Sequence, residues 1–189
     1  MSKADEERAQ AARLPQDDVV GILLEQHARI RDLFADLKTA EGEHKQQAFD
    51  ELRALLAVHE TGEEMVLRPV TRDVAGAEVS DARNHEEEAA NRVLAELEKM
   101  DVSGVEFDAR LAQFERAVLE HAEHEEQEEF PALRPARAEE QLQRMGRRLR
   151  TAEKIAPTHP HPAVAGSTTA QWAVGPFASL VDRVKDAVK

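Results

Sequence analysis

Two segments of the chain place a histidine one helical turn before a pair of glutamates and a proline ten residues after the histidine. They read His59-Glu-Thr-Gly-Glu63-Glu-Met-Val-Leu-Arg-Pro69 and His121-Ala-Glu-His-Glu125-Glu-Gln-Glu-Glu-Phe-Pro131. Both fit His-x-x-x-Glu-Glu-x-x-x-x-Pro, lie 62 residues apart, and carry an apolar residue seven before the histidine, Leu52 and Phe114. A period that long is a duplicated helical hairpin rather than a solenoid repeat. On a helix, an imidazole and a carboxylate four apart share one face. Imidazole and carboxylate without thiolate are ligands for iron, manganese or zinc.

Phase at about 100° per residue decides whether that face is inward. His59 falls between Leu55 and Leu56 on the apolar stripe, with Glu63 one turn on; His121 and Glu125 follow Phe114 and Val118; and His27 lies within the stripe of Leu23, Leu24, Ile30 and Phe34. Five potential ligands thus point at one interior, where an unpaired carboxylate is costly or takes up a proton. His27 lies ten residues or so into its helix, and His59 and His121 lie ten before a proline. All three therefore meet roughly 15 Å from the same end of the bundle.

A ligand from the remaining helix is expected in His85-Glu86-Glu87-Glu88. Extrapolation from Val93, Leu94 and Leu97 puts Glu86 and then Glu87 nearest the inner face. His85 lies towards the outside unless a bulge or cap rotation turns it in, and both His85 and Glu87 stand as candidates. His124, with Glu128 one turn on, sits at the edge of the stripe as a solvated or supporting residue. Glu60 is either an exposed acid or an extra ligand, and Gly62 either makes room for a bridging oxygen or small molecule or is neutral drift. Glu123, Glu126 and Glu129 read as surface charge.

The elements that must hold these residues are helices. There is no tyrosine, aromatics are 4%, and the alternating β-branched runs of strands are missing. Asp17 and Asp18 can cap a first helix, closed by Gly42. The second spans about 44 to 67 and stops at Pro69. The third runs from an N-cap at Ser80 to the Asp-Val-Ser-Gly turn at 101–104, and the fourth from Val105 to Pro131. Four helices of about 30 Å with short connections predict an all-α, antiparallel up-down-up-down four-helix bundle over residues 17–134. Residues 1–16 are expected to be a flexible N-terminus, and 135–189 a C-terminal helical extension. That extension comprises a helix over 137–155 whose Arg144, Arg147, Arg148 and Arg150 neutralise the acidic bundle, a Pro/His linker around His159 and His161, and an amphipathic helix from Pro176. The last helix carries Phe177, Leu180, Val181, Val184 and Val188 on one face, which must dock on the bundle or on a second subunit as a homodimer.

A net charge of −13 disfavours nucleic acid and anionic membranes and favours cations. Zero cysteines exclude disulfides and thiolate sites. No apolar run approaches a membrane span and the first sixteen residues lack a signal peptide's apolar centre, which sets a cytoplasmic expectation.

His27, His59-x-x-x-Glu63, the acid/His cluster at 85–88 and His121-x-x-x-Glu125 together resemble the hemerythrin-like, His-His-Glu cation-binding domain over roughly residues 17–134. The resemblance implies two Fe ions bridged by Glu63, Glu125 and an oxo or hydroxo group, with His27 and His59 on one side and His121 on the other. Oxygen-carrying hemerythrins place paired histidines four apart in the third helix. Here position 89 is Ala, and Glu87 aligns with the usual single histidine. That departure implies a more carboxylate-rich centre and handling of O2, peroxide or a similar small ligand, including catalase-like disproportionation, rather than reversible O2 transport. The competing classes are an iron or oxygen sensor and an iron store.

Overall fold

The computed structural model describes residues 1–155. The Pro/His linker and the terminal amphipathic helix lie outside the described residues, and with them the expected dimer contact. Helix α1 spans Lys3–Ala11, α2 Val19–Leu37, α3 Gly42–Gly62, α4 Arg68–Val74, α5 Ala77–Leu97, α6 Val105–His124, α7 Phe130–Ala136 and α8 Glu139–Ile155. The long helices α2, α3, α5 and α6 form the expected all-α bundle. Among the described residues, no helix is long and apolar enough to cross a membrane.

Neither repeated proline stops its helix. Residues 63–67 join α3 to α4, and residues 125–129 join α6 to α7, as single π-helical turns. Proline has no N–H to donate, and its ring crowds the carbonyl four residues back. A wider turn absorbs this: the Arg68 N–H reaches the Glu63 carbonyl and the Phe130 N–H that of Glu125, five residues back. The chain then continues as helix through Pro69 and Pro131.

The starts of the helices follow their caps. Asp18 accepts from Val20 N at 2.9 Å at the head of α2, as expected. Helix α5 starts earlier than expected, at Ala77 after Gly76 (φ 99°), and Ser80 is a buried residue inside it. Gly42, with φ 55°, opens α3 instead of closing α2.

Two elements outside the four helices complete the body. Residues 1–16, expected to be flexible, contain α1, which begins with a reciprocal Ser2/Asp5 capping box. It buries Ala4, Glu7 and Ala11, and Glu7 accepts from Arg31 Nε of α2 at 2.6 Å. Helix α8 buries Leu142, Met145, Leu149 and Ala152 in a layer shared with α2 and the residues after Glu63. Of its four arginines, Arg150 pairs with Asp17 at 3.3 Å and its charge also acts on Glu153. A Cβ on Gly62 would overlap Leu149 Cδ1, so this glycine makes room for α8, not for a ligand. A Cβ on Gly146 would overlap the Asp17 carbonyl oxygen.

The apolar core falls into two layers. One gathers Val20, Leu23, Leu24, Leu67, Phe130 and Leu149; the other gathers Phe34, Leu52, Leu94, Phe107, Leu111 and Phe114. His27 of α2 falls in sequence between Leu24 of the first and Ile30 of the second, and the polar residues of the repeat lie at that level.

Since α8 docks backbone to backbone at Gly146, Gly146→Ala is expected to destabilise the chain by about 1–3 kcal/mol through overpacking, although alanine is the better helix former by about 1 kcal/mol. Urea unfolding checks this; a gain in stability would contradict the docking.

Candidate metal centre

The repeated glutamates stand on the axis at the first residue of each π turn. Glu63, Glu125 and Glu129 have no exposed surface, and His27, His59 and Glu87 are buried. His27, His59, Glu63 and Glu125 each place one ligand atom within 4.8 Å of the others, and Glu63, Glu87, His121 and Glu125 do the same. The two sets share Glu63 and Glu125. Glu125 faces both: Oε2 lies 3.3 Å from His27 Nε2 and Oε1 lies 3.4 Å from His121 Nε2. His59 Nε2 is 3.5 Å from Glu63 Oε2, and His121 Nε2 is 3.8 Å from Glu87 Oε1.

Each imidazole is held from behind, at the nitrogen that faces away from this centre. His27 Nδ1 donates to Glu126 Oε1 (3.0 Å), His59 Nδ1 to Gln26 Oε1 (2.7 Å) and His121 Nδ1 to Glu86 Oε2 (2.8 Å). Such outer partners fix the tautomer and leave Nε2 bare for a cation. The supports are themselves supported: Glu126 by Lys3 at 2.6 Å, Gln26 by its donation to Glu153 at 2.7 Å, and Glu86 by Arg83 at 2.9 Å.

The fit to cations is tested by what the inward atoms lack. His27 Nε2, His121 Nε2, Glu63 Oε1, Glu87 Oε2 and Glu125 Oε2 are all buried without a hydrogen-bond partner among the described residues. Buried polar atoms are normally paired. Five bare donor atoms around two overlapping sets fit a pair of cations.

Of the sequence candidates, the structure brings His27, His59, Glu63, Glu87, His121 and Glu125 together. It does not bring in His85, which is exposed and has Nδ1 2.7 Å from the Asp81 carbonyl. A uniform α5 places residue 85 about 200° from residue 87, so only one of them can face the axis. Glu86 stands one step out, behind His121, and His124 Nδ1 is 3.2 Å from its other oxygen. Glu60 is in neither shared set; it accepts from Asn91 and groups with Glu64 and Glu87. Glu126 and Glu129 are not surface charge: the first holds His27, and the second accepts from Arg68 Nη1 (2.6 Å) and Thr71 Oγ1 (2.8 Å).

Arg68 was not singled out by the sequence. Only 4% exposed, it directs Nη2 at Glu125 Oε1 (3.2 Å), Glu63 Oε2 (3.5 Å) and Glu87 Oε1. A charged residue ending the buried run Met65-Val66-Leu67 was the available signal.

Protonation follows from burial and charge. Burial, with Glu125 beside it, raises Glu63 well above the carboxylate range. Burial likewise raises Glu87 to about 7 against the pull of Arg68 and His121. Burial works to lower His27 and His121, but the facing carboxylates outweigh it and hold both above the usual histidine value. Burial and the neighbouring His27 push His59 down to about 3.

Beside the ligand cluster lies a cavity of about 50 Å³, lined by Ile30, Leu56, Leu94, Phe114 and Val118 together with the inward residues.

A four-helix bundle carrying three back-supported histidines and two shared glutamates defines a His/carboxylate cation-binding protein. The chain belongs to the hemerythrin HHE cation-binding domain family, whose model matches residues 18–133. It is 26% identical over 137 residues to an uncharacterized hemerythrin-like protein of Schizosaccharomyces pombe, covering 71% of this chain and 68% of that one. It is 27% identical over 128 residues to a DNA nickase of a Nostoc species, covering 67% of this chain but 36% of that protein. A solved structure of a hemerythrin HHE cation binding domain-containing protein from Mycobacterium kansasii superposes with TM-score 0.64 at 21% identity, over 85% of this chain and 94% of that one.

Two outcomes check the centre. Glu86→Ala, which frees His121 Nδ1, is expected to weaken divalent-ion affinity by about 10–100-fold, while His85→Ala leaves it unchanged, both read by calorimetric titration. Cation uptake at pH 7 is expected to release protons, because Glu63, Glu87, His27 and His121 hold them above the ordinary ranges. Raised groups are more fully protonated as pH falls, so affinity drops most steeply below about pH 7, where Glu87 titrates. A weakly buffered titration with a pH indicator measures the release; uptake without it would contradict these assignments.

Proposed function

We propose that the chain holds two iron ions and handles O2 or peroxide, with peroxide disproportionation to O2 and water as its activity. The observation that carries this reading is the set of five bare inward atoms around two ligand sets sharing Glu63 and Glu125. His27 and His59 would hold one ion, His121 and Glu87 the other, and Glu63 and Glu125 both. The donor set, imidazole and carboxylate without thiolate, suits iron. When bound, such a pair supplies two-electron redox chemistry between diferrous and diferric states.

The chain's own part is placement and exclusion. The outer hydrogen bonds hold each Nε2 inward, and the two apolar layers flank the centre along the bundle. The neighbouring cavity of about 50 Å³, in which apolar side chains meet the inward histidines and carboxylates, has room for a small substrate such as O2 or peroxide. The chain has no tyrosine, which favours electron transfer confined to the metals.

Anaerobic Fe(II) reconstitution, then O2 and peroxide, tests the reading. About two irons per chain and catalytic O2 evolution from peroxide, lost in Glu125→Ala, are expected. Folded protein binding fewer than one iron per chain would sink the di-iron assignment. Two irons that oxidise once without turnover would replace the enzyme with a sensor or store.

A further inference from the structure

The duplicated motif is not symmetric where it matters electrostatically. At equivalent positions before the two prolines stand Arg68 and Phe130. Phe130 stacks on His27, with ring centroids 5.8 Å apart and planes 17° apart, so the seat formed by His27 and His59 has an aromatic ring beside it. Arg68 instead places a guanidinium on the oxygens of the seat that His121 faces: Nη2 contacts Glu125 Oε1 and Glu87 Oε1, the two oxygens 3.4 and 3.8 Å from His121 Nε2. Towards the other seat its one contact is Glu63 Oε2, at 3.5 Å.

We propose that Arg68 is a resident counter-cation that makes the two seats unequal: the His27/His59 seat loads first, and the His121/Glu87 seat loads only as the guanidinium Nη2 yields Glu87 and Glu125. The proposal rests on the two-ion reading above. A guanidinium is always charged and, at 4% exposure, poorly screened, so it repels a divalent ion competing for the same oxygens. Its Nη1 remains tied to Glu129, which Thr71 also holds, so Nη2 can give up its contacts while the side chain stays anchored in the bundle. In the metal-free chain the same charge balances carboxylates that would otherwise be buried uncompensated, and this keeps the bundle folded before metal arrives. One residue therefore sets both the stability of the metal-free state and the order of loading.

The test is an anaerobic Fe(II) titration of the full chain, followed by calorimetry and native mass spectrometry, with thermal unfolding of the metal-free and loaded forms. Wild type is expected to load in two steps, tight then weak, and His121→Ala to lose only the weak step. Arg68→Gln, which removes the charge, is expected to tighten the second step by about tenfold or more and to lower the melting temperature of the metal-free form far more than that of the loaded form. If Arg68→Gln folds only with metal, two ions per folded chain give the same support. Arg68→Lys, which retains the charge and covers the case of a Gln variant that never folds, is expected to keep the second step weak. A second step that is unchanged, weakened or lost in Arg68→Gln, or tightened equally in Arg68→Lys, overturns the proposal and leaves the di-iron reading standing. Wild type that stops at one ion while Arg68→Gln takes two supports the proposal and overturns the two-ion reading of wild type alone. No iron in any form overturns both.

Discussion

Carboxylates buried between packed helices demand positive charge beside them, and the middle of this bundle is arranged around that demand. Taking an ion out of water costs several kcal/mol even after relaxation, and a neighbour of opposite sign repays this only with good geometry. Glu63, Glu125 and Glu129 have no exposed surface, and Glu87 is 5% exposed. Arg68 supplies one fixed positive charge to all four. The remaining imbalance favours protons: burial raises Glu63, Glu87 and Glu129, and the facing carboxylates, against burial, raise His27 and His121. The apolar layers on either side supply stability that the polar level does not.

Two prolines deliver the carboxylates to that level. A continuous α-helix would carry residue 130 about 140° round from residue 125, and its proline would leave a carbonyl unpaired. The π turn adds one residue to the turn, so Phe130 joins Glu125 and Glu129 on the buried side. In the other copy the same turn buries Glu63 and Leu67. The repeat therefore imposes one backbone solution twice, and the residues in it decide what each copy contributes: Leu67 and Arg68 in one, Glu129 and Phe130 in the other.

The bundle and five of its inward residues were legible in the sequence because His27, His59, Glu63, His121 and Glu125 keep the phase and depth of apolar stripes. Helix α5 was harder. Its buried side includes Ser80, Arg83, Glu87 and Asn91 alongside Leu94 and Leu97, so polar residues interrupt the stripe. Val93, which is only partly buried, drew the inferred phase towards Glu86 and away from Glu87. Arg68, five residues after Glu63, was hidden because a uniform 100° step does not foresee a π turn, whereas Glu129, four residues after Glu125, keeps the ordinary helical phase and was read as surface charge against it. Gly62 was hidden for another reason: what it accommodates, Leu149, comes from a helix 87 residues further on. Helix α1 has only alanines for an apolar face, and its capping box at Ser2 and Asp5 was the one local sign of it.

These late and early helices lie outside the stretch, residues 18–133, that the family shares, yet they reach the centre at one remove. Lys3 of α1 pairs with the Glu126 that holds His27, and Glu7 lies close enough to the same carboxylate to be raised to about 7, burial first and Glu126 second. Glu153 of α8 accepts from the Gln26 that holds His59. Only His121 is braced wholly from within the four helices, through Glu86 and Arg83. Both imidazoles of the His27/His59 seat are thus braced at one remove by the helices that flank the matched stretch, whereas His121 is braced from the bundle itself. The flanks then act on one seat and Arg68 on the other, so the two halves of a duplicated motif can differ in affinity while keeping the same ligand types.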